Sequence, residues 1–219
     1  MFLRSLIVFV FSMICLSSWG QADLRFGTGV FFGYNLSQID GDDMQGYDLP
    51  GINFGIRGIT YLLPKLEFHT ELSYSQQGSQ SKNFTGNIKV GRQLKLDYGG
   101  ISGIVAINDW FHPVKEYYRF QLTGGVSLKR VIKTSIKDES RNNIRSTNFN
   151  EVFPYLESTD FAMILGANFK LIKNLGLSFR YNRSLNKILD ADKVQMYFEK
   201  KQLYSMKGYF LSANVFYHF

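Results

Sequence analysis

The sequence predicts an all-β protein, an eight-stranded antiparallel up-and-down β-barrel, and three observations lead there. Apolar and polar residues alternate with period two in stretch after stretch. The connections between those stretches alternate long and short, as hairpins joined around a barrel would. No segment offers 18 consecutive apolar residues, so no membrane-crossing helix is predicted. At 219 residues the chain has length for one domain or two small ones.

The first 22 residues read as a cleaved export signal. Arg4 supplies a positive start, Leu6 to Leu16 is apolar apart from Ser12, and small residues follow as Ser18 and Gly20 or Gly20 and Ala22. That apolar run is too short to span a bilayer, which takes about 20 residues. The domain is therefore expected over 23–219. The single cysteine, Cys15, falls inside the leader and follows the bulky Ile14, which disfavours a lipid anchor. The mature chain then has no cysteine and cannot be a disulfide scaffold. Without Arg4 it carries 24 basic against 18 acidic residues, a net charge of +6. With no basic aromatic motif, an exported chain of this charge is not expected to bind nucleic acid.

The first strand sets Leu24, Phe26, Thr28, Val30, Phe32 and Tyr34 against Arg25, Gly27, Gly29, Phe31 and Gly33. The second sets Ile52, Phe54 and Ile56 against Asn53, Gly55 and Arg57. The third, LEFHTELSYS over 66–75, sets Leu66, Phe68, Thr70, Leu72 and Tyr74 against Glu67, His69 and Glu71. A fourth, about 94–107, changes phase: Leu94, Leu96 and Tyr98 have one parity and Ile101, Val105 and Ile107 the other. A bulge at Gly99-Gly100 would absorb that shift. The fifth opposes Tyr118, Phe120, Leu122, Val126 and Leu128 to Arg119, Gln121, Thr123 and Lys129. The sixth opposes Phe161, Met163 and Leu165 to Asp160, Asn168 and Lys170. The seventh opposes Leu175, Leu177, Phe179 and Tyr181 to Gly176, Ser178, Arg180 and Asn182. The eighth opposes Tyr209, Leu211, Val215, Tyr217 and Phe219 to Ser212, Asn214 and His218. Residues 63–65, 108–117 and 172–174 read as the shorter turns. Residues 35–50, 77–93, 132–158 and 186–207 read as long polar loops.

Alternation alone does not say which face is inside. The polar face is rich in glycine, which leaves room in a tight lumen for long Arg and Lys side chains, while the other face carries the large aromatics. Tyr34, Tyr74, Tyr181 and Tyr217 tend to close the apolar rows, where a lipid–water boundary wants an apolar ring with a wet hydroxyl. The chain ends SANVFYHF, an amphipathic strand with a terminal aromatic. Lipid outside and charge inside is the reading these support: a transmembrane barrel with long extracellular loops and short periplasmic turns, in the outer membrane of a Gram-negative bacterium.

The terminal Phe219 after Val215 and Tyr217 resembles the C-terminal assembly signal of bacterial outer-membrane barrels. The mature chain also resembles the small outer-membrane β-barrel domain family common in Bacteroidetes, often labelled PorT-like. GVFFGYNLSQI, GINFGIRG, ELSYSQQGS, LKLDYGGI and LSFRYNRSL carry that resemblance. It implies recognition by the barrel assembly machinery, and an accessory role in secretion of the kind attributed to the name-giving member.

Glu67, His69 and Glu71 are candidate metal or acid/base groups, since same-face residues on a strand stand about 6.6 Å apart. The competing reading is a structural charge network. Arg25, Arg57, Lys95, Arg119, Lys129, Lys170 and Arg180 read as inward, and so do Glu67, His69, Glu71, Asp97 and Asp160. Buried charges must be paired, and eight strands leave a bore that side chains fill. The network is favoured, with no catalytic residue, metal or cofactor. A three-residue turn Leu63-Pro64-Lys65, with Leu62 opposite Leu66, would set Glu71 against Arg57. A lipid-modifying enzyme needs a base near the rim, but His69, His112 and His218 all lie toward the short-turn side. Asp40, Asp42, Asp43 and Asp48 form an acidic loop that fails the calcium-loop spacing, with Gln45 where glycine is required. Lys82, Lys89 and Arg92, and Lys187, Lys193, Lys200, Lys201 and Lys207, make two loops basic and suited to anionic lipopolysaccharide. Two functions compete: a non-enzymatic surface-binding or assembly component, and a narrow channel for ions or small solutes.

Overall fold

In the computed structural model, residues 26–42, 46–81, 84–85, 88–89, 92–138, 155–190 and 205–219 are described. The expected leader, Arg25 and Asp43 lie outside them. The strands are β1 (Phe26–Asp40), β2 (Leu49–Leu63), β3 (Leu66–Ser81), β4 (Phe84–Thr85), β5 (Ile88–Lys89), β6 (Arg92–His112), β7 (Tyr117–Asp138), β8 (Thr159–Lys170), β9 (Leu175–Ser184) and β10 (Lys207–His218). Eight of them close a barrel in the order β1-β10-β9-β8-β7-β6-β3-β2, every pairing antiparallel. β4 and β5 form a separate two-stranded hairpin in the loop after β3. Closure between the first and last strands runs from Gly29↔His218 to Asp40↔Lys207 and removes both sheet edges.

Side chains follow the alternation. Along β1, Phe31, Asn35, Ser37 and Ile39 are buried inside while Phe32, Tyr34 and Leu36 are exposed outside. The same outer belt continues through Phe54, Ile56, Leu72, Val105, Leu122, Leu165, Phe179, Leu211 and Val215. An aqueous protein would not leave so wide an apolar surface bare, whereas lipid covers it without cost.

β8, β9 and β10 have 12, 10 and 12 residues, close to the roughly 9–11 needed to cross a bilayer on a tilt. β6 and β7 have 21 and 22. They rise well beyond the membrane, and β3 goes with them through Ser81↔Arg92 and Arg92↔Asp138. Stretches expected as loops, 35–40, 77–81 and 132–138, are thus strand.

That extension corrects the phase change expected at Gly99-Gly100. β6 pairs with β3 without a break from Ile107 to Arg92, so its parity never shifts. Leu94, Leu96 and Tyr98 point into the barrel together with Ser102, Ile104 and Ala106. Lys95 and Asp97 consequently face outward and are not lumen charges. The cause is a change of surroundings. At membrane height the outside is lipid and takes the apolar residues; above it the outside is water, and the apolar residues turn inward. The bulge lies instead on β7, where Asp97↔Lys133 is followed by Tyr98↔Val131 and Ile132 is the extra residue.

The turn between β2 and β3 is also tighter than expected. Leu63 pairs with Leu66 across Pro64-Lys65, and the offset between Leu63 and Tyr61 leaves Leu62 as the bulged residue. The two changes cancel one another. Tyr61↔Glu67, Ile59↔His69 and Arg57↔Glu71 are paired, the register read from the sequence.

Candidate functional site

The lumen is filled in tiers. Nearest the short turns, Glu67 from β3 is satisfied by three donors. His69 Nε2 lies 2.8 Å from Oε2, Asn108 Nδ2 donates to Oε1 at 2.8 Å, and Gln121 Nε2 donates to Oε2 at 3.0 Å. Gln121 in turn accepts from Asn168 at 3.0 Å, so one network ties β3, β6, β7 and β8 together. Lys170 lies near enough to act on Glu67 electrostatically. Arg119 sits between the buried Tyr117 and Gln121, and its Nε has no hydrogen-bond partner among the described residues.

One tier up, Glu71 holds two arginines. Arg57 Nε donates to Oε1 at 2.7 Å, while Arg180 donates Nη1 to Oε2 at 2.7 Å and Nη2 to Oε1 at 2.9 Å. The second of these is a bidentate guanidinium–carboxylate pair, the stronger geometry. Arg57 Nη1 also donates to His218 Nε2 at 3.1 Å. The Arg57 guanidinium stands 5.7 Å from the Phe31 ring centroid and 5.2 Å from that of Phe216, within cation–π range. Glycine makes that possible: a Cβ on Gly55 would sit 2.7 Å from Cζ of Phe31, and one on Gly176 would collide with the Phe216 ring. The inward glycines thus leave space for rings that carry an arginine, and not only for the arginine itself.

Higher again, Lys129 Nζ lies 2.8 Å from Asp160 Oδ2, beneath the Tyr98 and Phe210 rings. Between this pair and Glu71–Arg180 is a cavity of about 30 Å³ lined by Ser73, Ser75, Ser102, Ser127 and Ser212. That is room for one or two waters. Above Lys129 an apolar cluster fills much of the lumen, beside the buried Ser37, Gln77 and Ser79. Ile39, Leu94, Leu96, Tyr98, Ile188, Leu189 and Met206 form a buried cluster, with Val131, Ile136 and Leu156 packed against it. This cluster fills the loop-side part of the lumen.

Among the expected lumen residues, the structure therefore joins Arg57, Glu71 and Arg180, joins Glu67 with His69, and joins Lys129 with Asp160. Lys170 and Arg119 lie at the turn end, Lys95 and Asp97 are outside, and Arg25 is not among the described residues. Glu67, His69 and Glu71 are all buried, and the two carboxylates are occupied by donors. Sequence reading missed Asn108, Gln121, Asn168 and His218 as network members. The inward parity of Gln121, Asn168 and His218 was legible, whereas Asn108 fell in the stretch read as a turn that β6 extends through; the partners of all four come from other strands. Val215 and Tyr217 face lipid, and Phe219 N donates to Thr28 O at 2.9 Å beside the closing strand pair.

A family model described as outer membrane protein beta-barrel domain matches residues 18–190. The chain belongs to that family. No curated protein sequence matches it. Among solved structures, the attachment invasion locus protein Ail of Yersinia pestis is similar over 89% of this chain and 99% of its own, at 12% identity and a TM-score of 0.46. Neisserial surface protein A is similar over 88% and 96%, at 12% identity and a TM-score of 0.47. The outer membrane protein AlkL is similar over 91% and 93%, at 15% identity and a TM-score of 0.33. The family places the chain among outer-membrane β-barrels, a Gram-negative location.

Proposed function

We propose that this barrel is a non-enzymatic component of the outer membrane that works through its loop-side surface, binding a partner as a surface receptor or as a PorT-like accessory to assembly or secretion. The observation that carries this is the closed lumen. A path for solute would have to pass the Glu67 and Glu71 networks, a cavity of about 30 Å³, and then the apolar cluster of Leu94, Leu96, Tyr98 and Met206. Opening it requires separating buried ion pairs, which costs several kcal/mol for each ion left without its partner. What remains available to a partner is the surface built by the projecting ends of β3, β6 and β7 and by the loops, where binding residues of rigid scaffolds commonly lie.

Single-channel recording on refolded protein in planar bilayers tests this against the channel reading. The expected result is no unit conductance in the parent protein. Steady openings of uniform size would overturn the proposal in favour of a narrow channel.

A further inference from the structure

On the outer wall, the extra residue in β7 brings Arg130, Ile132 and Lys133 to the lipid-side face within four positions; all three are exposed. Unbroken alternation would have turned Lys133 inward. Gly99 is Arg130's cross-strand partner, and Asp97 is that of Lys133, with Lys95 one outward position higher on β6. The glycine is needed there, because a Cβ on Gly99 would lie 2.9 Å from Cδ1 of Ile132. Ile132 leans over that gap and forms one edge of an outward groove of about 610 Å³, whose apolar walls include Val30, Ile56 and Leu72. Tyr74, paired with Gly99, marks the height of the membrane boundary. An apolar groove in the lipid belt thus ends, at headgroup height, under three cations and one carboxylate.

The opposite wall offers a comparison. A groove of about 720 Å³ there is lined by Leu165, Phe179 and Leu211, with Tyr34 and Tyr181 at its upper end. Above it stands Arg183, while Lys207 is paired across the ladder with Asp40. Among the described residues, apolar volume occurs on both walls; on this one Lys207 faces Asp40 and Lys187 is held by Asp190, whereas Arg130, Lys133 and Lys95 share the single carboxylate of Asp97.

We propose that the outer wall from β1 through β2 and β3 to β6 and β7 is a binding site for one anionic glycolipid of the outer leaflet, with an acyl chain in the groove and a headgroup phosphate on Arg130, Lys133 and Lys95. Juxtamembrane cations attract anionic headgroups, and arginine forms paired hydrogen bonds to phosphate oxygens. The site rests on the reading that the loop end faces outward, and surface labelling tests that orientation separately.

The experiment is native mass spectrometry of the full-length mature barrel, refolded and supplied with bisphosphorylated lipid A, dephosphorylated lipid A or phosphatidylethanolamine. One lipid A should stay bound at concentrations where the other two do not. The triple variant K95Q/R130Q/K133Q should weaken that binding at least tenfold, each headgroup-facing charge contributing a few-fold, whereas Arg183→Gln on the other wall should leave it unchanged. These substitutions lie outside the barrel, and altered gel mobility on heating verifies that each variant is folded. Equal retention of the phosphate-free lipids, an unaffected triple variant, or an equal loss with Arg183→Gln would each overturn the site.

Discussion

Arg57 on β2 and Glu71 on β3 stand directly opposite one another in the lumen, Nε 2.7 Å from Oε1, and Arg180 reaches the same carboxylate from β9. The carboxylate is therefore shared by two cations, and replacements of its three members are not equivalent.

Glu71→Gln leaves two buried guanidinium groups without their counter-charge, while Arg57→Met leaves Glu71 with its bidentate partner. Unfolding from detergent or lipid should show Glu71→Gln as the more damaging, about 3–5 kcal/mol, with Arg57→Met at the lower end of that range or below it. Replacing Arg57 and Glu71 together still strands Arg180, so only the triple replacement R57M/E71L/R180M should approach parent stability. Strict additivity of the single effects would mean that the three groups do not share one site.

Leu96 is fully buried in the loop-side apolar cluster although its neighbours Lys95 and Asp97 face outward. Leu96→Ala should destabilise the folded barrel by about 2–5 kcal/mol, as expected for a core cavity. A surface leucine would cost far less, so an effect under about 0.5 kcal/mol on the same unfolding curve would place Leu96 outside.

Trp110 has φ of 54°, in the left-handed region, and is exposed on the outer face near the ring of Phe169, with centroids 6.2 Å apart. A tryptophan held in that conformation fits an anchor at the turn-side interface, with its ring among headgroups and upper acyl chains. The only other tryptophan, Trp19, belongs to the expected leader. Fluorescence of the mature protein should thus report Trp110 alone. It should be quenched more by lipids brominated near the headgroup than by lipids brominated at the chain ends, and the reverse order would place the ring at the bilayer centre.

Orientation follows from loop asymmetry, with the short turns Pro64-Lys65 and 171–174 at one end and the projecting strands at the other. A tag inserted at Asn143 should be labelled on intact cells, and one at Lys173 only after the outer membrane is permeabilised. The opposite labelling pattern would invert the topology and place the apolar cluster on the periplasmic side.

Sequence alone determined the barrel and the facing of each strand within the membrane, and it reached the Arg57–Glu71 register only because the tighter turn and the bulge at Leu62 offset each other. Barrel and facing were legible because lipid imposes one rule on every lipid-facing position, so period-two alternation is read the same way in all eight strands. The rule ends where the lipid ends. Leu94, Leu96 and Tyr98 obey the opposite rule, since water surrounds the outside of β6 above Gly99, and no local pattern marks the height at which one solvent gives way to the other. Lys95 and Asp97 were misplaced for that reason. Tertiary structure also decided who pairs with whom across the bore. Arg180 is separated from Glu71 by 109 positions, and Asn168 from Gln121 by 47. Inward parity brings such residues into the lumen, but only barrel closure and the stagger of the strands put them at one height. The same holds outside: Arg130, Ile132 and Lys133 share a face through one extra residue in β7, a bulge visible only once β6 is paired beside it.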